Sequence, residues 1–188
     1  MKESPFVKIF EEAATGIFNG KLVVKKGANL FYELTLNREL KLSVDDTRNP
    51  KRGRGSAFQT DICVFEKIDE TEFPRIVIEF KTNITSHDII TYSSKAGKHK
   101  RIYPGLRYGL LASEIDIIPD RFFMHNENLD FFIAAGQYKK PELLTKMVKD
   151  LIENEVKTAR TLENIYFEKT KFNYYRTDII FDNYEGTK

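Results

Sequence analysis

The sequence predicts an α/β protein with a central mixed β-sheet flanked by helices. Three observations predict it. Short stretches of β-branched and aromatic residues recur through the middle of the chain, segments of helical periodicity flank them on both sides, and a capped helix separates two groups of strands. At 188 residues the chain has the size of one ordinary domain, and it shows no internal repeat, low-complexity tract or linker.

Phe6, Ile9, Phe10, Ala13 and Ile17 recur at helical spacing over 5–17, with Ser4 as the N-cap and Pro5 at the first helical position. Gly16 and Asn19-Gly20 end that pattern. Residues 22–24 and 30–36 read as strands around a Gly27-Ala28-Asn29 turn, and 40–44 as a third. A polar Gly/Pro/Arg loop over 45–55 leads into a strand over 57–65, an acidic turn over 67–72 and a strand over 75–81. Thr85 followed by Asp88 forms a capping box, opening a helix to about Lys98 that Gly97 weakens. Pro104-Gly105 marks a turn before a strand over 108–112, and 129–135 is a further strand. Pro141 opens the longest periodic segment, carried by Leu144, Val148, Leu151, Val156, Ala159 and Leu162, and 172–181 reads as a last strand.

Composition narrows the function classes. A single Cys excludes a disulfide within the chain, and with three scattered His it speaks against a zinc-finger or CxxC site. No apolar stretch approaches the roughly 18 residues of a membrane span, and the first sixteen residues lack a signal-peptide core. The expectation is a cytoplasmic protein with no membrane partner.

The net charge of +2 says little, but its distribution says more. Residues 47–60 contain Arg48, Lys51, Arg52 and Arg54 and no acid; 89–113 contain Lys95, Lys98, Lys100, Arg101 and Arg107 and no acid. Nine positive charges thus lie in two acid-free windows of a nearly neutral chain. Brought together, they make a surface able to hold phosphates; taken singly, each is a solvated face.

The chemistry is carried by Asp61 on one strand and Glu79-Phe80-Lys81 on the next. Strand side chains alternate, so Glu79 and Lys81 share a face while Ile76, Ile78 and Phe80 enter the core. An antiparallel hairpin would bring Asp61 to Glu79, and two carboxylates at that range repel unless a cation lies between them. An all-oxygen donor set favours Mg²⁺, with Mn²⁺ as a substitute. Lys81 on the same face is placed to orient a water or to stabilise charge on a phosphorane, and the set suits phosphodiester hydrolysis. Glu-x-Lys also occurs at Glu39 and Glu155, but only Glu79 closes an apolar strand with an Asp strand just upstream.

On these residues and the element order, residues 5–113 resemble the PD-(D/E)xK nuclease superfamily, with its restriction-endonuclease-like core. The remainder, 114–188, is then an extension packed on that core. The resemblance implies a Mg²⁺-dependent DNA endonuclease, of the type II restriction kind, in which Asp61, Glu79 and the Phe80 carbonyl hold the metal and Lys81 assists the water. Thr60 stands where the motif usually has Pro. Many members add a first-helix acid; Glu12 fits better than Glu11, the alternative being two exposed acids. The helix after the Glu-x-Lys strand faces substrate in that family. Ser93, Ser94, Lys95, Lys98, Lys100 and Arg101 are therefore expected at DNA, together with Arg48, Lys51, Arg52 and Arg54 of the loop leading to Asp61. Gly53 and Gly55 would let the backbone approach a phosphate. Cutting both strands implies a homodimer. The alternatives are a repair or recombination nuclease and a nucleic-acid-binding module without turnover. His87, Cys63, Tyr92, Tyr103 and Tyr108 are expected mainly at the surface or in packing.

Overall fold

The structure, a computed structural model, describes residues 3–44, 46–52, 56–138, 140–168 and 170–180, the side chains of Glu3 and Ser4 excepted. In chain order the elements are α1 (Glu3–Ala14), β1 (Leu22–Lys26), β2 (Asn29–Phe31), β3 (Ala57–Gln59), β4 (Ile62–Ile68), β5 (Thr71–Lys81), α2 (Ser86–Ile102), β6 (Arg107–Ala112), α3 (Asp120–His125), β7 (Phe131–Ala134) and α4 (Pro141–Phe167). Single 3₁₀ turns cover Ile17–Gly20 and Ala135–Gln137.

Five strands form one mixed sheet in the order β1-β4-β5-β6-β7. β1, β4 and β5 are antiparallel neighbours, while β6 and β7 continue parallel to β5. Alternation along the strands divides the apolar residues between two cores. Ile62, Val64, Ile76, Ile78 and Leu111 face α1 and α4, whose Phe10, Val148, Ile152 and Val156 are fully buried there. Cys63, Val77, Tyr108 and Leu110 face α2, which contributes Ile89 and Ala96. Glu79 and Lys81 follow Val77 and so point to the α2 side.

The α/β class and mixed sheet are as expected, and several elements differ. The strand expected over 57–65 is two strands in two sheets. β3 pairs only with β2 in a separate ribbon, and the chain crosses to the main sheet at Thr60-Asp61. The crossing is held where the Thr60 N–H and hydroxyl both donate to the Ala28 carbonyl, at 2.9 and 3.0 Å. The strand expected over 30–36 stops at Phe31, and that over 40–44 reduces to a single Leu36–Leu42 bridge. Leu34, Leu36, Leu40 and Leu42 are all exposed, so no buried face rewards pairing there. Residues 170–180 contain no strand, with Phe172, Tyr174, Tyr175, Ile179 and Ile180 exposed; Phe181 lies outside the described residues. Ser4 lies inside α1 rather than capping it.

Other elements are extended rather than lost. α2 runs through Gly97 to Ile102, and a Cβ at Gly97 would stand 3.0 Å from the Asn128 side chain. The hairpin turn is narrower than expected, confined to Asp69-Glu70. Among the described residues, no helix is long and apolar enough to cross a membrane.

Candidate active site

The β4–β5 register pairs Ile62 with Ile78, which sets Asp61 opposite Glu79 at the open end of the hairpin. Asp61 sits in the crossing just before β4, where its carbonyl accepts the Gly27 N–H at 3.0 Å and its side chain turns across to β5. There its Oδ2 accepts the Phe80 N–H at 2.7 Å. Phe80 is fixed in turn by its ring, stacked on Phe6 at 5.4 Å and edge-on to Phe10 at 6.2 Å. A cavity of about 250 Å³ opens here, lined by Phe6, Asp61, Phe80, Lys81, Thr82, Tyr92 and Ser113.

Glu79 lies deeper, 2% exposed, between α2 and β6. Its Oε1 takes a 3.0 Å contact from Lys95 Nζ and a hydrogen bond from the Tyr108 hydroxyl. Burial pushes the Glu79 carboxyl above its ordinary value; the Lys95 ammonium opposes this and the Asp61 carboxylate adds to it. Tyr108, buried beside that carboxylate, is pushed well up, first by burial and then by Glu79.

Lys81 Nζ lies 3.3 Å from Asp88 Oδ1 and 5.3 Å from the Tyr92 ring centroid. Burial works against its charge, but Tyr92 and Asp88 prevail and hold Lys81 above its usual value. Asp88 is the capping-box acid of α2, accepting the Thr85 N–H at 2.9 Å. Burial would raise Asp88; the Thr85 bonds and Lys81 lower it. One carboxylate therefore both starts the helix and holds the lysine.

Sequence reasoning found the capping box but not this second contact, nor Tyr92, Tyr108 or the Lys95–Glu79 pair. The available signal was that Asp88, Tyr92 and Lys95 stand four and three residues apart, on one face of α2.

The donor set fits a hard divalent cation. Two carboxylates are electrostatically coupled at the end of one hairpin, and each has a second oxygen outside the contacts described. Among the described residues, no three His, Cys, Asp or Glu side chains form a ready-made metal group. Glu12 does not join them: it is exposed and pairs with Lys8 at 3.6 Å, about 9 Å along α1 from Phe6. Glu11 is exposed as well.

The two basic windows separate. Arg48, with Thr47, Asn49 and Pro50, lines a second cavity of about 770 Å³ that extends from Ala28, Asn29 and Leu30 to Asp69, Glu70 and Glu72 at the hairpin turn. Arg48 is not among the residues that line the Asp61 cavity. Lys51 and Arg52 are exposed, Arg52 bridging to Ala57 in β3, while Gly53, Arg54 and Gly55 lie outside the described residues.

In the second window, Ser93 is buried and its Oγ accepts the Glu127 and Asn128 N–H groups at 2.9 Å. Lys100 pairs with Asp130 at 2.7 Å, and Arg107 with Asp130 at 2.9 Å and with Glu155. These residues are engaged in internal contacts. Lys95 belongs to Glu79. Ser94, Lys98 and Arg101 are exposed, as is His87. Cys63 is buried, and burial pushes its thiol well up. The Tyr103 hydroxyl accepts the Phe31 N–H at 3.1 Å.

No protein-family model matches the chain, and no curated protein matches it.

Proposed function

We propose that the chain is a metal-dependent endonuclease that hydrolyses phosphodiester bonds in DNA, with a restriction-endonuclease-like core. The observation that carries this is the placement of Asp61 across the hairpin from Glu79, with Lys81 next on the same face and a cavity in front. The order of elements supports it: a helix, three antiparallel strands, a helix and a parallel strand, as that core is built.

Asp61 and Glu79 would hold Mg²⁺ or Mn²⁺, which supplies a polarised phosphoryl oxygen and an acidified water. The chain's own residues do the rest. Lys81, kept charged by Asp88 and Tyr92, faces the cavity as a cation and not as a base. It stabilises negative charge growing on the phosphorus oxygens and orients the attacking water. Lys95 and Tyr108 keep Glu79 in place. Phe6 and Phe80 form an apolar wall that strengthens each charge contact beside it.

The Glu79–Lys95 pair is also the observation that favours the second reading, a binding module without turnover, since an ammonium already neutralises the deeper carboxylate. Plasmid incubated with Mg²⁺ decides between them. Cleavage by the wild type, with Asp61→Asn and Lys81→Met binding DNA but not cutting it, is the expected result. Equal behaviour of all three proteins overturns it. Discrete fragments from the wild type mark a restriction-type enzyme, and preference for branched DNA marks a repair type.

A further inference from the structure

Leading away from the cavity is an unbroken series of cation–aromatic contacts. Lys81 lies over Tyr92; Lys95 lies between Tyr92, at 5.1 Å, and Phe58, at 5.6 Å. Lys98 continues it, 5.9 Å from Phe58 and 5.4 Å from Tyr32. The Tyr32 and Phe58 rings are stacked 3.9 Å apart at 15°. All three aromatics are half-buried, so they keep a surface open to solvent, and Lys98 is exposed. Lys81 and Lys95 are balanced by Asp88 and Glu79; Lys98 has no carboxylate within 4 Å among the described residues.

Local folding explains why the rings are held there. A two-stranded ribbon such as β2–β3 is marginal by itself. It is docked through both backbone groups of Phe31: the carbonyl accepts from His99 Nδ1 at 2.7 Å and the N–H donates to the Tyr103 hydroxyl. The next residue is Tyr32, so its ring stands at a fixed position beside the site. Phe58 packs edge-on against His99 at 5.9 Å, which orients the second ring.

We propose that this strip, from Lys81 through Tyr92, Lys95 and Phe58 to Lys98 and Tyr32, binds single-stranded DNA leading out of the cavity lined by Asp61, Lys81 and Tyr92. Unpaired bases stack on the aromatic rings, and Lys98 holds the backbone. The assignment rests on the nuclease reading for its DNA end point and adds the substrate class: DNA with an unpaired segment beside the scissile phosphate. The physical ground is that a base within a duplex has both faces covered by its neighbours, so the solvent-facing sides of these half-buried rings can be stacked on only by bases outside one. Rings interleaved with lysines are the arrangement by which single strands are gripped without sequence preference.

The test is binding in EDTA, followed by fluorescence anisotropy with a labelled 12-nucleotide oligo-dT, a 12-base-pair duplex and a 12-nucleotide oligo-U. The expected order is oligo-dT tightest. Tyr32→Ala and Phe58→Leu should weaken oligo-dT roughly 5- to 150-fold, the range for losing one base-stacking contact. Lys98→Ala should lower the slope of log K against log salt by about 0.7, one phosphate contact. Melting temperatures establish that each variant is folded, and Phe58→Leu keeps apolar bulk against His99. Wild-type affinity in folded Tyr32→Ala and Phe58→Leu overturns the proposal, as does tighter binding of the duplex or of oligo-U. Because no metal is present, the outcomes are separable. Oligo-dT binding that depends on Tyr32 in a protein that cuts nothing removes the nuclease reading alone. Cleavage in a protein whose binding ignores Tyr32 removes the strip alone.

Discussion

The Asp61 carboxylate accepts the Phe80 N–H at 2.7 Å. A side chain from the crossing between two sheets is thereby tied to the strand that carries Glu79 and Lys81.

Asn in place of Asp61 keeps the carbonyl that accepts the Phe80 N–H while removing the charge. Asp61→Asn should melt within a degree or two of the wild type. Its plasmid cleavage should fall by roughly two orders of magnitude or more, the scale of losing a metal's charge stabilisation. A melting scan beside a nicking assay reads both.

Removing Lys95 leaves Glu79 buried and unpaired. Lys95→Met should lose about 3 kcal/mol at pH 8, the low end for breaking a buried pair since Lys95 is one-fifth exposed. The Glu79 carboxyl already sits above its unfolded value, and loss of Lys95 raises it further. Its destabilisation therefore grows as pH rises through the unfolded value toward the folded one, and the defect should shrink at pH 5. Urea denaturation at the two pH values, with Glu79→Gln added to restore stability at pH 8, checks this.

His99 is fully buried, and burial lowers its pKa from 6.5 to about 4. Among the described residues its Nε2 has no hydrogen-bond partner, so the ring is held neutral with its proton on Nδ1 toward Phe31. A depressed histidine binds its proton more readily when unfolded. Its stabilisation is complete above pH 6.5 and declines as pH falls toward 4, by roughly 3 kcal/mol in all. His99→Gln should flatten that part of the stability–pH curve relative to the wild type.

Arg75, almost fully buried, reaches Glu66 at 2.8 Å and also Glu163 of α4. Arg160, also of α4, closes the network on Glu66 from the other side at 3.2 Å. Burial would raise Glu66, but Arg160 and Arg75 hold it below the usual carboxylate range. Arg75→Met should cost about 3 kcal/mol, while Glu163→Gln, at the more exposed edge, should cost under about 1 kcal/mol. Glu66 contributes above its unfolded value and loses that contribution as pH falls, so the Arg75→Met defect should be largest near neutrality. Chemical denaturation at pH 7 and pH 3.5 separates these outcomes.

Gly105 turns the chain between α2 and β6 at φ +82°, and a Cβ there would stand 2.5 Å from the Ala159 carbonyl oxygen. Gly105→Ala should destabilise by about 2 kcal/mol, from the left-handed backbone and the displacement of α4 together. A shift of the urea midpoint with unchanged slope is the expected result.

Much of the fold was legible. The Ile76–Ile78 alternation placed Glu79 and Lys81 on one face, Thr85 and Asp88 opened α2, and Pro141 opened α4. The site was legible in part: Asp61, Glu79 and Lys81 do gather at one end of the hairpin. The phosphate surface was not. Lys95, Lys100 and Arg107 lie in an acid-free window, yet Glu79, Asp130 and Glu155 reach them from other elements. Residues 172–180 have strand-forming side chains and find no strand partner among the described residues.

The chain's own order of residues determined what depends on backbone period and on neighbours a few positions away: which side chains share a face, where helices start, and which strands turn back on each other. Only the tertiary structure decided that 57–65 would break at Asp61, that Arg48 would line a cavity other than that of Asp61, and that Lys95 would neutralise Glu79. Those outcomes depend on contacts between residues distant in sequence. Periodicity carries no information about which distant acid, carbonyl or strand edge will stand opposite a given residue once the layers close.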